Sequence, residues 1–497
     1  MNPGYLDYLK SISLDPQIAD NHQYASVCLK KLIQLKYLNY QDIIENPEKF
    51  FDAHSQISHH NYLEGFSIKF TVQFNLFAGS IMNLGTPKQK NWLIDSQNEG
   101  DLGCFMLTEY QAGVSSGLIV MTRADIVGDH IVINTPDIIY DAHGEINFDL
   151  TAHRKNWISQ GLSARYGVVI AQLYDADRRL GIYPFLIDME DPNIHKKDNG
   201  LKTGINGLDN AQIIFKNLRI NLDQIMFDDL DWLREAAKHN PSFNPNTGFT
   251  RVATRLNSGR LCIADSLLSF VTNVVKKTID GPLSKQIYLN PKIQIKLNEL
   301  PEIRDMLTLI DHRLSIMRIF IDNVKREYCL EIKARRFNIH PDLIEKIMVA
   351  KILAIDYGLD VVQFLRHKIG SNSLFAKNYL GSNLDILFCG RFAEGDNDIL
   401  VTKLVFDRLK KLTKDGMMTN FLRLNVLPLN NSIHTERYKL LQLASILSRS
   451  SNVFVAFTEN YQLVKSCAEF ICYNVVRDNL SNQHQQHLHL TDIKAML

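Results

Sequence analysis

A carboxylate that follows an apolar run and precedes a glycine is well suited to proton transfer. Ala393-Glu394-Gly395-Asp396-Asn397, entered through Ile386-Leu-Phe-Cys389, has that form. The apolar approach desolvates Glu394 on one side, and Gly395 lets a ligand come close to the backbone on the other. Desolvation raises a carboxyl's pKa and makes the carboxylate a stronger base. The same residues also suit a solvated loop acid before a helix, with Asp396 or Asn397 as its N-cap. A second stretch, Gly103-Cys-Phe-Met-Leu-Thr-Glu-Tyr-Gln-Ala-Gly113, closes an apolar run on a hydroxyl and a carboxylate. An extended segment of that kind brings Thr108 to the mouth of a sheet, where its hydroxyl and N–H can meet a ligand. Gly113 permits close approach or positive φ just beyond. A buried strand running into a surface turn is the other reading of these residues. Asn156-Trp157-Ile158-Ser159 is the third stretch that bears on chemistry.

These residues need elements to hold them. Residues 1 to about 100 read as helical, with apolar residues at mixed three and four spacings from Ser26 to Leu38 and from Gly65 to Leu84. Phe66, Phe70, Phe74, Phe77 and Ile81 mark one face of the second segment, which reads as core. Gly85 stops it, and Thr86-Pro87 opens the next helix as N-cap and N1 proline. From about 101 to 220 short Val-, Ile- and Thr-rich runs alternate with turn residues, the pattern of an antiparallel β domain of sandwich or barrel type. A parallel nucleotide-binding sheet would need helices between strands and a Gly-rich turn, and the sequence has neither. Residues 221–249 read as a surface loop or linker, acidic at first and ending in Asn240-Pro-Ser-Phe-Asn-Pro-Asn-Thr-Gly248. Beyond Thr250 the chain reads as helical throughout, near 254–277, 301–335, 341–367, 398–413 and 434–479, lengths that suit an antiparallel bundle. The expected class is α+β, in five parts: helical domain 1–100, β domain 101–220, linker 221–249, bundle 250–413 and helical extension 414–497.

Bulk properties narrow the function. The chain has 497 residues, 45% hydrophobic and 22% charged, too long for one core and suited to two to four domains. Lys plus Arg is 55 against 54 for Asp plus Glu, so no global field recruits nucleic acid or a membrane surface. Seven cysteines without a C-x-x-C pair suit a reducing compartment with no disulfide framework and no zinc site. His484, His487 and His489 lack a carboxylate or thiolate framework and read as a solvated tail rather than a metal site. No run of 18 apolar residues suggests a membrane span. The N-terminus has no secretory pattern and Lys-Ala-Met-Leu at the C-terminus is a poor peroxisomal tripeptide, so a cytoplasmic location is expected.

A series of short stretches, in order, resembles the acyl-CoA oxidase and acyl-CoA dehydrogenase family of flavoproteins, with the oxidases nearer. Asn83-Leu-Gly-Thr-Pro-Lys-Gln-Lys with Gly103-Cys-Phe and Leu107-Thr-Glu is similar to the entry into the family's β domain. Trp157-Ile-Ser159 resembles its second flavin stretch, and Gly204-Ile-Asn-Gly-Leu-Asp-Asn210 with Phe215-Lys-Asn-Leu-Arg-Ile220 the close of that domain. Ser258-Gly-Arg260 resembles the start of the next long helix, and Glu394-Gly-Asp-Asn397 the oxidase form of the catalytic-base motif. The resemblance implies that FAD is held by Thr108, Gly113, Trp157, Ile158, Ser159 and Asp396. It implies that Glu394 is the base, with Val114, Arg260 and Gly395 at the substrate.

The implied reaction is α,β-oxidation of a fatty acyl-CoA to a trans-2-enoyl-CoA, a proton going to Glu394 and a hydride to the flavin. Oxygen would take the electrons. The alternative acceptor is an electron-transfer flavoprotein, and a homodimer is expected. Three positions depart from the family's pattern: Gly113-Val114 replaces a Gly-Ser, Gly370-Ser371-Asn372 replaces paired glycines, and Lys285 stands where an arginine would meet flavin phosphate. They motivate a reading from another class, a flavin-free scaffold of the same fold.

Overall fold

The computed structural model describes residues 3–12, 21–59, 65–112, 120–245, 247–334, 339–375, 379–382, 384–414, 432–450 and 453–481. By internal contacts the chain divides into two compact units. The first comprises residues 1–262, 329–338 and 370–386, the second 263–328, 339–369 and 387–497.

The first unit opens with helices α1 (Pro3–Ser11), α2 (His22–Gln34) and α3 (Pro47–His59). A helical rod follows in three consecutive stretches, Phe66–Thr71, Val72–Ala78 and Gly79–Leu84, the middle one wound as a π-helix. Phe66, Phe70, Phe74, Phe77 and Ile81 are all buried, as their spacing predicts. The wider middle turn also buries Gln73, whose Nε2 donates to the Tyr40 hydroxyl at 2.8 Å and whose Oε1 accepts from Gly103 N–H at 2.7 Å. A π-turn is a known way to re-aim one side chain of a helix; here it ties the rod to the strand that carries Thr108. Helix α4 (Pro87–Ser96) begins with the expected N1 proline, and Thr86 and Gln89 form a reciprocal capping box.

Among the described residues nine strands form the β domain: β1 (Gly103–Met106), β2 (Arg123–Val127), β3 (His130–Asn134), β4 (Lys155–Ser159), β5 (Tyr166–Asp175), β6 (Arg178–Asp188), β7 (Ile194–Asp198), β8 (Asn210–Phe215) and β9 (Leu218–Asn221). One sheet runs β1-β5-β2-β3-β9, with β6 on β5; the other runs β4-β8-β7. Strand β5 pairs antiparallel with β6 along its length, while β1 and β2 share its other edge, β1 on the first half and β2 on the second. Both of these pairings are parallel, where the sequence led us to expect antiparallel neighbours throughout. No hairpin joins β1 or β2 to β5, so no tight turn dictates their direction. Val169, Ala171, Leu173, Phe185, Ile213 and Phe215 are inaccessible to solvent at the centre of this core.

The segment read as a surface loop carries helix α5 (Leu230–His239). Asp229 caps it through Trp232 N–H at 2.8 Å, and Leu233 enters the β-domain core. Helix α6 (Thr247–Asp280) follows. Among the described residues the helical reading beyond residue 250 is interrupted by a hairpin of β10 (Gln286–Asn290) and β11 (Ile293–Lys296). Its turn is set by Asn290, whose Oδ1 accepts from Lys292 N–H at 2.9 Å, an Asx turn that period-based reading passes over.

The second unit is mostly helical. It holds the C-terminal part of α6, the β10–β11 hairpin, most of α7 (Pro301–Lys333), α8 (Pro341–Ile369), the end of α9 (Leu384–Phe392), α10 (Asn397–Lys414), α11 (Ser432–Leu447), α12 (Val453–Glu459) and α13 (Tyr461–Ser481). Helices α8, α10, α11 and α13 pack together. The single helical stretch expected over 434–479 is three helices. Among the described residues no helix is long and apolar enough to cross a membrane.

Candidate active site

In the first unit the chain continues past β1 as a short extension lying antiparallel to β4. Asn156 N–H donates to Thr108 O and Tyr110 N–H to Arg154 O, both at 3.0 Å. This sets half-buried Thr108 beside the start of β4. Two charges lock the pairing. Lys155 Nζ reaches Glu109 Oε1 at 3.0 Å, Ile170 O at 2.9 Å and Leu107 O at 3.2 Å. Glu109 also accepts from the N–H groups of Met121 and Thr122 and from the Thr122 hydroxyl. Burial pushes the Glu109 carboxyl up, but Lys155 and these donors outweigh it and hold the pKa below the usual range. For Lys155 burial dominates and lowers the pKa.

Strand β4 bulges at its centre: its register on β8 slips between Lys155 and Ile158. Trp157 sits in the bulge with φ 55°, left-handed backbone that costs a bulky residue energy and is kept where surroundings over-determine it. The bulge turns the indole outward, 47% exposed, between buried Asn156 and Ile158. Tyr110 stacks near it, ring centroids 6.1 Å apart at 28°, and the Arg154 guanidinium covers Tyr110 at 3.7 Å. Ser159 Oγ and Trp157 O both accept from Asn210 Nδ2, at 3.2 and 3.3 Å. A half-exposed hydroxyl, an outward indole and a second hydroxyl therefore lie along adjoining strand ends. Hydrogen-bonding atoms around a flat apolar face fit a planar heteroaromatic ring such as flavin. Gly113 and Val114 lie outside the described residues, as do His484, His487 and His489.

Arg260, also in the first unit, is half-buried on α6 and donates through Nη1 to Asn257 Oδ1 at 2.9 Å. Next to it Ser258 Oγ donates to Asn75 Oδ1 at 2.8 Å. Lys285 is exposed at the foot of the β10 hairpin, and Ser371 is exposed in a 3₁₀ turn.

Glu394, Gly395 and Asp396 belong to the second unit, in the turn between α9 and α10. Glu394 is half-buried with φ 58°, and Gly395 follows at φ 97°. Asp396 Oδ1 accepts from Asp398 N–H at 2.9 Å, so Asp396 caps α10, as one of the two sequence readings has it. Its Oδ2 is buried without a hydrogen-bond partner. Behind the turn, Arg391 bridges Asp356 and Asp398, and the Tyr461 hydroxyl donates to Asp398 Oδ1 at 2.6 Å. Burial pushes the Asp356 carboxyl up, with Arg391 pulling against it. Sequence reasoning passed over two groups. The Glu109–Lys155 pair leaves no mark in the sequence pattern, with Lys155 set in the polar run His153-Arg-Lys-Asn156, whereas Lys351 shows as one charge inside Ile347-Met-Val-Ala-Lys-Ile-Leu-Ala-Ile355.

No family model matches the chain. It is 24% identical over 423 residues to acyl-coenzyme A oxidase 2, peroxisomal, of Arabidopsis thaliana, a match covering 79% of this chain and 57% of that one. Its fold matches the crystal structure of acyl-CoA oxidase 1 from Yarrowia lipolytica with TM-score 0.72 and 16% identity, over 98% of this chain and 74% of that one. The chain is thus similar in sequence and fold to acyl-CoA oxidases and dehydrogenases. On the dehydrogenase side, a glutaryl-CoA dehydrogenase from Mycobacterium smegmatis in complex with FADH2 matches with TM-score 0.59 and 18% identity, over 81% of this chain and 89% of that one. The α+β class expected from the sequence is the fold these proteins share. The chain spans about half the length of the curated relatives it matches. The cytoplasmic expectation is corrected here, because the Arabidopsis oxidases among these relatives are named as peroxisomal. Organelle addresses are read by receptors and leave no mark on the fold.

Proposed function

We propose that the protein is an FAD-dependent acyl-CoA oxidase of the peroxisome, acting as a homodimer on fatty acyl-CoA thioesters. The observation that carries the reading is Trp157, a tryptophan held in left-handed backbone with its ring exposed, beside Thr108 and Ser159. A fold seeking stability alone would turn that ring inward or place glycine there.

In this reading Thr108 and Ser159 hydrogen-bond the edge of the flavin ring and Trp157 packs on it, with Ile158 anchoring the bulge in the core. FAD, when bound, supplies the hydride acceptor. Glu394 removes the α-proton of the thioester, and Gly395, bare of a side chain, admits the thioester to the backbone. Arg260 lends positive charge to the acyl pocket, and Gly113 and Val114 stand where family members meet cofactor and substrate. Aligning the proton with the base supplies part of the rate, and its transfer to a placed carboxylate about 10²–10⁴-fold.

The test is the ultraviolet–visible spectrum of the purified protein before and after a long-chain acyl-CoA. A yellow protein that bleaches anaerobically and releases hydrogen peroxide in air is expected. A colourless protein with no retained flavin would sink the reading in favour of a scaffold. Bleaching without peroxide would move the acceptor to an electron-transfer flavoprotein.

A further inference from the structure

The turn that carries Glu394 is held from inside the second unit by a lysine. Lys351, on α8, has no solvent exposure, and its Nζ donates to Arg391 O at 3.2 Å and to Gly395 O at 2.5 Å. These carbonyls flank Glu394, three residues before it and one after. Each end of the turn has its own anchor as well. Upstream, α9 is seated by Gly390, where a Cβ would come within 2.3 Å of Leu267 Cδ1 and 3.1 Å of Ile355 Cδ1. Downstream, Asp396 caps α10. Between those anchors lie two consecutive left-handed residues, Glu394 and Gly395, of which only the glycine adopts that conformation freely. Of the three anchors, Lys351 is the one that grips the peptide units on both sides of the carboxylate.

We infer that Lys351 is a positioning residue for the Glu394 base, an inference that rests on the proposed function above. Burying an ammonium is costly unless its protons are hydrogen-bonded, and two of those bonds fall here on the carbonyls that bracket Glu394. With the tether gone the Glu394 backbone is free to leave its left-handed conformation, which swings the carboxylate away. Lys351 itself need touch neither substrate nor cofactor, so the effect belongs in kcat rather than KM. An error of 1 Å in the placement of a reacting group costs about 10²-fold in rate.

The experiment compares K351M and K351Q with the wild type in the full-length, flavin-loaded protein. It reads flavin absorbance, KM for a long-chain acyl-CoA and kcat. Both variants are expected to keep the flavin spectrum and a KM within about threefold of the wild type, while kcat falls by about 10²-fold for K351M. Where K351M does not fold, K351Q, which keeps a polar group, decides with an expected fall of at least about tenfold. Wild-type kcat in the folded variant, or a fall that only tracks lost flavin, overturns the role of Lys351. A wild type that never bleaches with acyl-CoA overturns the underlying reading of Glu394 instead.

Discussion

Lys155 Nζ lies 3.0 Å from Glu109 Oε1 with neither side chain exposed to solvent, and the pair joins the residue after Thr108 to the residue two before Trp157, both proposed above to meet flavin. Removing one partner leaves the other charge buried and unpaired, which costs about 3–5 kcal/mol. K155M should therefore lower the unfolding free energy by about that amount in urea titration. The double variant E109Q/K155M should recover much of the loss, since it buries no charge. Equal destabilisation by the single and double variants would show that the pair contributes packing alone.

The same pair sets an acid limit. Glu109 is held below its usual pKa by Lys155 and backbone donors, and Asp209 likewise by Lys69, against the burial that pushes both up. A carboxyl with a lower pKa folded than unfolded binds fewer protons in the native state, so its contribution is complete above the unfolded value, about 4. It is lost as pH falls through the folded value. The urea midpoint should hold steady near neutrality and drop below about pH 5. The E109Q/K155M variant should drop with a shallower slope, and an unchanged slope would remove Glu109 from the account.

Gly103 begins the strand that delivers Thr108, and it touches the rod directly. A Cβ there would sit 2.1 Å from Phe77 Cδ1, on a ring that is itself buried. G103A should destabilise by about 1–3 kcal/mol, the usual cost of overpacking a filled core. In G103A/F77L part of that loss should return, giving a coupling energy beyond simple addition. Strict additivity would mean that the strand moves aside at no cost.

What the sequence made legible and what it hid divide along physical lines. The phenylalanine stripe of the rod, the Thr86 cap, the long helices and the strand-rich middle all follow from local periodicity and capping, and all appear. The Trp157 bulge, the parallel pairings of β1 and β2 with β5, and the Asn290 turn were not legible. The bulge and the pairings depend on register with strands distant in sequence, and the turn on one local side-chain hydrogen bond that periodicity does not report. Trp157 and Glu394 were singled out for their residue types. That both carry left-handed backbone is visible only in three dimensions. Lys351 is visible as a charge in an apolar run and Lys155 is not, but the partners of both, Glu109 for Lys155 and the Arg391 and Gly395 carbonyls for Lys351, lie 46, 40 and 44 residues away.

Trp157 offers a test that separates cofactor from fold. Its ring is about half exposed and touches Tyr110 at the surface, so W157A should change the unfolding free energy of the flavin-free protein by no more than about 1 kcal/mol. Flavin absorbance retained after gel filtration should fall sharply, while W157F should retain more of it. Loss of stability without loss of flavin would assign the indole to the fold.

Glu394 carries the sharpest prediction, because its turn has anchors on either side of it. Lys351 binds the carbonyls on either side, Asp396 caps the next helix, and Gly395 supplies the second left-handed residue. Glutamine has the same shape and no basic oxygen, so E394Q should keep the turn, the melting temperature and the flavin spectrum. Turnover should fall by about 10²–10⁴-fold, the range associated with a general base. Aspartate draws the carboxylate back by one methylene, and E394D should therefore fall between wild type and E394Q. That ordering distinguishes a base, which depends on both charge and reach, from a residue that merely packs. If E394Q turns over as fast as the wild type, the proton leaves by another route and the carboxylate is only part of the turn.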